Sequence, residues 1–155
     1  MSFVRATPEM LENVRSMIET HAPGLDVDRW KERLSDPGVF LMVDVPRRLA
    51  SLVVHEEIEL TRANGTQIGP LWAMHFAAVI PATMTAAQAK EAVDAALIAV
   101  RADRPDLMDL PCGGFGPKAR ALAIRNAYGM QWEEMIGGQW AVWSTVRNLL
   151  AFRGL

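Results

Sequence analysis

The stretch that decides the fold is 72–118, which reads WAMHFAAVIPATMTAAQAKEAVDAALIAVRADRPDLMDLPCGGFGPK. An apolar strand ends at Ile80, because Pro81 cannot donate to a sheet ladder. Apolar residues then recur at helical spacing and predict a helix over 85–102. After it we expect a short buried strand over 107–110, a flexible glycine-rich turn over 113–116 and a helix over 118–128 that ends at Gly129.

The sequence on either side of this stretch adds further strands and helices. Thr7 and Pro8 predict the start of a helix that runs to about Thr20. Asn64-Gly65 predicts a hairpin with a type I′ turn, because that turn needs positive φ at both central residues. The other candidates are strands at 2–7, 39–45, 49–60, 67–80 and 133–145 and a short helix carrying Trp30 and Leu34. This order predicts an α/β (α+β) fold, with a mixed, mostly antiparallel sheet flanked by helices.

Length and composition limit the classes of protein that are compatible with this chain. The chain has 155 residues, 50% of them hydrophobic, which predicts one domain with a substantial core. A formal net charge of −2 and a pI near 5.9 argue against a nucleic-acid binder. The single cysteine, Cys112, excludes an intramolecular disulfide framework. No apolar run is long enough to span a bilayer, so we expect a soluble, cytoplasmic protein without a membrane partner.

The succession of strand, Pro81 and alanine-rich helix resembles the core of the GNAT superfamily of acyl-CoA N-acyltransferases. The likeness in the pattern of elements covers 1–147, which predicts one acyltransferase-like domain followed by an apolar C-terminal tail over 148–155. It implies acetyl-CoA or CoA as cofactor and an amine as acceptor. The chain is most similar to degenerate acyltransferase-like proteins encoded by bacteriophages, in which His75, Pro81 and the helix have counterparts. For such a protein, incorporation into a virion is the alternative to the cytoplasm.

The resemblance places a pyrophosphate-binding loop between the strand and the alanine-rich helix. The family pattern there is Arg/Gln-x-x-Gly-x-Gly/Ala, which lets backbone N–H groups at a helix N-terminus approach the phosphates. Here Met84 and Ala87 replace the first two pattern residues, and Ala89 alone satisfies it. The residues implied in cofactor binding are Val79, Thr83, Thr85, Ala86, Ala87 and Ala89. The alternative is that Thr83 or Thr85 merely caps the helix.

Two residues are implied in catalysis. His75 precedes the loop on its strand and is the candidate general base, because the attacking amine must be neutral. The alternative for a lone histidine among apolar neighbours is a satisfied core residue. Arg125 stands where the family has a tyrosine acid; it cannot donate a proton near neutral pH but can stabilise a thiolate electrostatically. Tyr128 is expected to face the core.

The other polar candidates favour simpler interpretations. Cys112 would need a base and a lowered pKa to act as a nucleophile, and we expect a small semi-buried residue instead. His55-Glu56-Glu57 is not followed by a second histidine at ligand spacing, so no metal site is predicted. Glu56, Glu57 and Glu59 are interpreted as the solvated face of a strand.

Three functions are compatible with these patterns. The first is an acyl-CoA-dependent N-acetyltransferase that uses His75 as base, with a degenerate CoA loop and no tyrosine acid. The second is a non-catalytic structural or interaction protein on the same fold, as a phage virion or assembly component. The third is a small-molecule binder. The apolar residues Leu149, Leu150, Phe152 and Leu155 of the tail are the candidate surface for a protein partner or for homo-oligomerisation.

Overall fold

The computed structural model describes residues 3–21, 26–80 and 83–155, which form two compact units. The first comprises Met1–Val54 and Ala77–Arg104, and the second His55–Phe76 and Pro105–Leu155. The described residues form a mixed, mostly antiparallel sheet of seven strands, in the order β1-β2-β3-β4-β5-β7-β6, together with five α-helices. This bears out the predicted α+β class. The strands are β1 Val4–Arg5, β2 Val39–Asp44, β3 Leu49–Thr61, β4 Gln67–Ile80, β5 Pro111–Pro117, β6 Gln131–Glu134 and β7 Gln139–Thr145.

The first unit covers both faces of its strands with helices. These are α1 Leu11–His21, α2 Val27–Arg33 and α3 Ala86–Asp103. Every residue of β2 is buried. Its alternate residues Val39, Leu41 and Val43 belong to the core formed with α1 and α2. On the opposite face, the Ser51 hydroxyl donates to the Ala92 carbonyl of α3, so α3 lies on that side.

Two arginines bind α3 near its two ends. Arg47 Nη2 lies 2.6 Å from Glu91 Oε1, and Arg47 Nε also contacts the fully buried carboxylate of Asp44. This contact with Arg47 holds the pKa of Glu91 below its usual range. At the other end, Arg5 Nη1 lies 2.8 Å from Asp103 Oδ2. The helix is therefore anchored to β1 and to the β2–β3 connection by side chains as well as by its apolar face.

The hairpin predicted at Asn64-Gly65 is present, but its turn type differs from the prediction. Gly65 has a φ of 87°, whereas Asn64 does not have positive φ, so the type I′ assignment was wrong. The Gly65 N–H donates to the Arg62 carbonyl, and the Thr66 N–H donates to the Asn64 side chain at 2.9 Å. The two strands are instead joined by a longer turn in which Gly65 alone has positive φ.

The segment after α3 departs most from the sequence prediction. Residues 107–110, predicted as a strand, lie at the end of a short 3-10 turn and in the bends after it. The predicted glycine-rich turn at 113–116 is instead the body of β5, which pairs with β7 from Pro111↔Thr145 to Pro117↔Gln139. Glycine is required at 113, because a Cβ there would lie 1.8 Å from the Val142 carbonyl oxygen.

The second unit carries α4 Lys118–Tyr128 and α5 Val146–Phe152. Gly129 ends α4 in the left-handed conformation, as the sequence predicts, with a φ of 62°. The segment 148–155, predicted as an apolar tail, is mostly helical: α5 begins at Val146 and continues to Phe152. Leu149 and Leu150 are buried, whereas Phe152 is exposed. Part of the apolar surface of the tail is therefore buried within its own unit.

Replacement of Gly113 by alanine is expected to destabilise the protein by about 3 kcal/mol, since the added methyl group meets backbone rather than a movable side chain. Gly116→Ala in the same strand is the matched control. There the added Cβ would have only ordinary contact, 3.8 Å from Arg120 Cδ, and stability should stay within about 1 kcal/mol of wild type. Urea unfolding followed by circular dichroism measures both. Equal stability of the two variants would contradict the close approach of β5 and β7.

Candidate functional site

His75 is held by a carboxylate and an aromatic ring of its own unit. On β4 it is paired with Gly113 of the parallel strand β5. Its Nδ1 atom lies 2.6 Å from Glu56 Oε1, and its ring stacks on Phe115 with centroids 5.7 Å apart. Because a carboxylate accepts hydrogen bonds, the neutral ring carries its proton on Nδ1 and presents the lone pair of Nε2. The side chain is 20% exposed.

Glu56 is the residue of this pair that sequence reasoning missed. The prediction grouped it with Glu57 and Glu59 on a solvated strand face, but its side chain is only one-third exposed and contacts His75. The sequence does indicate that the two residues lie on neighbouring strands, because the hairpin at Asn64-Gly65 joins β3 and β4. Which residues then meet depends on the irregular backbone at Gly69, where a Cβ would lie 2.6 Å from the Ile58 carbonyl oxygen.

A cavity of about 270 Å³ lies beside His75 within the second unit. Its wall is mainly apolar and includes alternate residues of β3, which share one face of that strand. The lining includes Ile58, Leu60, Leu71, Met74, His75 and Val142. Arg62 also lines the cavity, and its Nε atom lies 3.0 Å from Glu133 Oε2. A mainly apolar wall removes part of the water around a bound molecule, and His75 is one of the polar groups of that wall.

The candidate pyrophosphate loop lies in the other unit, at the start of α3. Thr85 caps the helix: its hydroxyl accepts from the Gln88 N–H, and the Gln88 side chain accepts from the Thr85 N–H. The capping alternative therefore holds for Thr85. The capping leaves the N–H groups of Ala86 and Ala87 without an acceptor among the described residues. Both alanines are exposed, Ala89 is half-buried, and Val79 and Thr83 are also exposed.

Arg125 lies on α4 and does not share the cavity of His75. Its guanidinium carbon stands 5.1 Å from the ring centroid of Trp132, and Nη1 donates to Asn126 Oδ1 at 3.4 Å. It lines a second, more open pocket with Asn126, Gly129 and Met130. Tyr128, on the same helix, is buried, as expected from the sequence. The two candidate catalytic residues therefore belong to one unit but to separate pockets.

Other reactive groups show little capacity for chemistry. Cys112 is fully buried, and burial raises the pKa of its thiol well above the usual range. Within the described ranges, no group of three or more His, Cys, Asp or Glu side chains could hold a metal ion. No helix in the part of the chain that the structure describes is long and apolar enough to cross a membrane. Among the described residues, the His75–Glu56 pair is therefore the candidate site that we consider further.

No protein-family model matches this chain, and no curated protein is significantly similar to it. The assignment of function therefore depends on the geometry of His75, the cavity beside it and the start of α3.

The Cys112 thiol is expected to resist modification in the folded protein. Burial keeps it protonated at neutral pH, and only the thiolate attacks a disulfide reagent. Reaction with 5,5′-dithiobis(2-nitrobenzoic acid) should release one equivalent of chromophore in urea and almost none in buffer. A Cys112→Ser/Ala151→Cys variant, with its thiol at an exposed site of α5, should react at once in buffer. Rapid stoichiometric reaction of the native wild-type protein would show that Cys112 is accessible.

Proposed function

We propose that this protein is an acyl-CoA-dependent N-acyltransferase that uses acetyl-CoA and has His75 as its general base. The observation that carries the proposal is the 2.6 Å contact between His75 Nδ1 and Glu56, at the edge of an apolar cavity. A histidine oriented by a carboxylate is the usual arrangement of a catalytic base. The contact with Glu56 uses Nδ1 and so leaves Nε2 as the nitrogen that would accept a proton. This favours the base over the alternative of a satisfied core residue.

The arrangement of strands supports the same reading. β4 and β5 are parallel neighbours inside a mostly antiparallel sheet, and their pairing is limited to Met74↔Cys112 and His75↔Gly113. The resemblance implies a base on the strand that leads into the alanine-rich helix. Here β4 carries His75 and is followed in the chain by α3.

The start of α3 is suited to the pyrophosphate of CoA. Ala86 and Ala87 are exposed and have small side chains, and the first turn, Ala86 to Ala89, is uncharged. A helix N-terminus carries a partial positive charge, so an anion is attracted and is met by donors. Thr83 is exposed and could add a hydroxyl donor. These backbone groups do not depend on the family's loop residues, which Met84 and Ala87 replace.

His75 and Glu56 would perform the proton transfer. Acetyl-CoA supplies the acyl group as a thioester. His75 Nε2 accepts the proton of the attacking amine, and Glu56 stabilises the imidazolium that forms. Arg125 lines a separate pocket, so no step of this proton transfer is assigned to it. With acetyl-CoA as donor, the cytoplasm is the compartment that suits the reaction.

A second function is favoured by one observation, the exposed apolar side chains of the second unit. Among its described residues, four large apolar side chains are more than half exposed: Trp72 at 55%, Phe115 at 54%, Ile136 at 58% and Phe152 at 59%. Aromatic and aliphatic groups of this kind are enriched at protein interfaces. They support the alternative of a non-catalytic structural or interaction protein, as a homo-oligomer or as a phage virion or assembly component.

Calorimetric titration with CoA and acetyl-CoA is expected to give dissociation constants in the micromolar range. Ala87→Glu should weaken binding at least about tenfold, because a carboxylate takes the place intended for the pyrophosphate. The same carboxylate suits the helix dipole, so the variant should keep its stability. Ala151→Glu is the matched control, since it adds the same charge at an exposed position of α5 and should bind as wild type does.

Absence of binding by folded protein at millimolar CoA would remove the acyltransferase function and favour the interaction protein. Unchanged binding by Ala87→Glu would show that CoA does not use the start of α3.

His75→Gln is expected to lower kcat for acetyl transfer to a responsive amine by about 100-fold or more, while the Kd for CoA is unchanged. Glu56→Gln should lower kcat less, because the base remains but loses its charged partner. His55→Gln is the control: this histidine lies on β3 with its ring centroid 4.9 Å from that of Trp72, and it does not line the cavity. Release of CoA thiol measures all three rates. Equal activity of His75→Gln and wild type would show that His75 is not the base.

A further inference from the structure

The cavity beside His75 has a size and lining that restrict what it can hold. Its volume of about 270 Å³ corresponds to roughly nine non-hydrogen atoms, at about 30 Å³ for each as for liquid water. Ile58, Leu60, Leu71 and Met74 make much of the wall apolar. Because burial of apolar surface drives binding to such a wall, the occupant should have a compact hydrocarbon body.

The charged groups of the wall restrict the occupant further. Arg62 lines the cavity, and Glu133 pairs with its guanidinium from outside the lining. A molecule with several ammonium groups would lose hydration against the apolar wall, and the lining offers it no carboxylate. A molecule with one amino group avoids this cost if that group reaches His75 Nε2.

We propose that this cavity is the acceptor pocket and that the acceptor is a primary amine on a compact apolar body, such as an alkyl or arylalkyl amine. This inference rests on the proposed acyltransferase function. An apolar surrounding disfavours the ammonium form and so supplies the neutral amine that attack requires. The nitrogen forms a bond to the acyl carbon, the carbon–sulfur bond breaks, the amine proton passes to His75 Nε2 and the sulfur leaves as the CoA thiolate.

The test compares hexylamine and benzylamine with putrescine and spermidine. Binding is measured without acetyl-CoA by ligand-detected NMR and calorimetry, and transfer is measured by release of CoA thiol. We expect the two apolar amines to bind and to be acetylated with kcat/KM at least about tenfold above that of the polyamines. Acetylation of polyamines in preference would overturn the apolar acceptor and leave the acyltransferase function standing. Binding of apolar amines without transfer, in protein that binds acetyl-CoA, would overturn the acceptor role of the cavity.

A variant pair locates the binding in the cavity. Ile58→Thr replaces part of the apolar wall with a residue that still suits a strand, and it should weaken hexylamine binding roughly tenfold. Ile136→Thr is the matched control at an exposed residue outside the lining, and it should bind hexylamine as wild type does. Titration with CoA checks that both variants retain the donor site. Equal weakening in both, or in neither, would show that hexylamine binds elsewhere.

Discussion

At Gly113 the backbones of β5 and β7 pack so closely that there is no space for a Cβ. This contact sets the position of β5, and β5 in turn is the parallel partner of His75 and carries Phe115, which stacks on the imidazole. Val142 also lines the cavity, and its carbonyl oxygen occupies the space that a Cβ at Gly113 would need. Strand packing, the orientation of the His75 ring and the shape of the cavity therefore depend on one glycine.

The fold was predictable wherever side chains carry a periodic signal. Helix α3 was foreseen from its apolar stripe, and the end of α4 from Gly129. Strand β5 was not, because Gly113, Gly114 and Gly116 have no side chains to alternate between core and solvent. Glycines in sequence usually indicate a turn; here they reflect how closely a neighbouring strand packs, which only the three-dimensional structure reveals.

The candidate residues on β4 and at the start of α3 are visible in the sequence, but Glu56 and the contacts of the candidate site are not. His75 stands out as an isolated polar residue on an apolar strand, and Thr85 as a helix cap. The pairing of His75 with Glu56 could not be derived, since it depends on the register across β3 and β4 after the irregular backbone at Gly69. The cavity could not be derived either, because volume is decided by how side chains from several strands fit together.

The ion pairs that Arg5 and Arg47 form with α3 have a consequence for behaviour in salt. Attraction between a helix N-terminus and a phosphate anion weakens as ionic strength rises, and so do the half-exposed ion pairs of Glu91 and Asp103. The contact of Arg47 with the fully buried Asp44 is screened far less. Concentrated salt would therefore weaken the hold of the helix N-terminus on an anion while Arg47 keeps its buried anchor in the sheet.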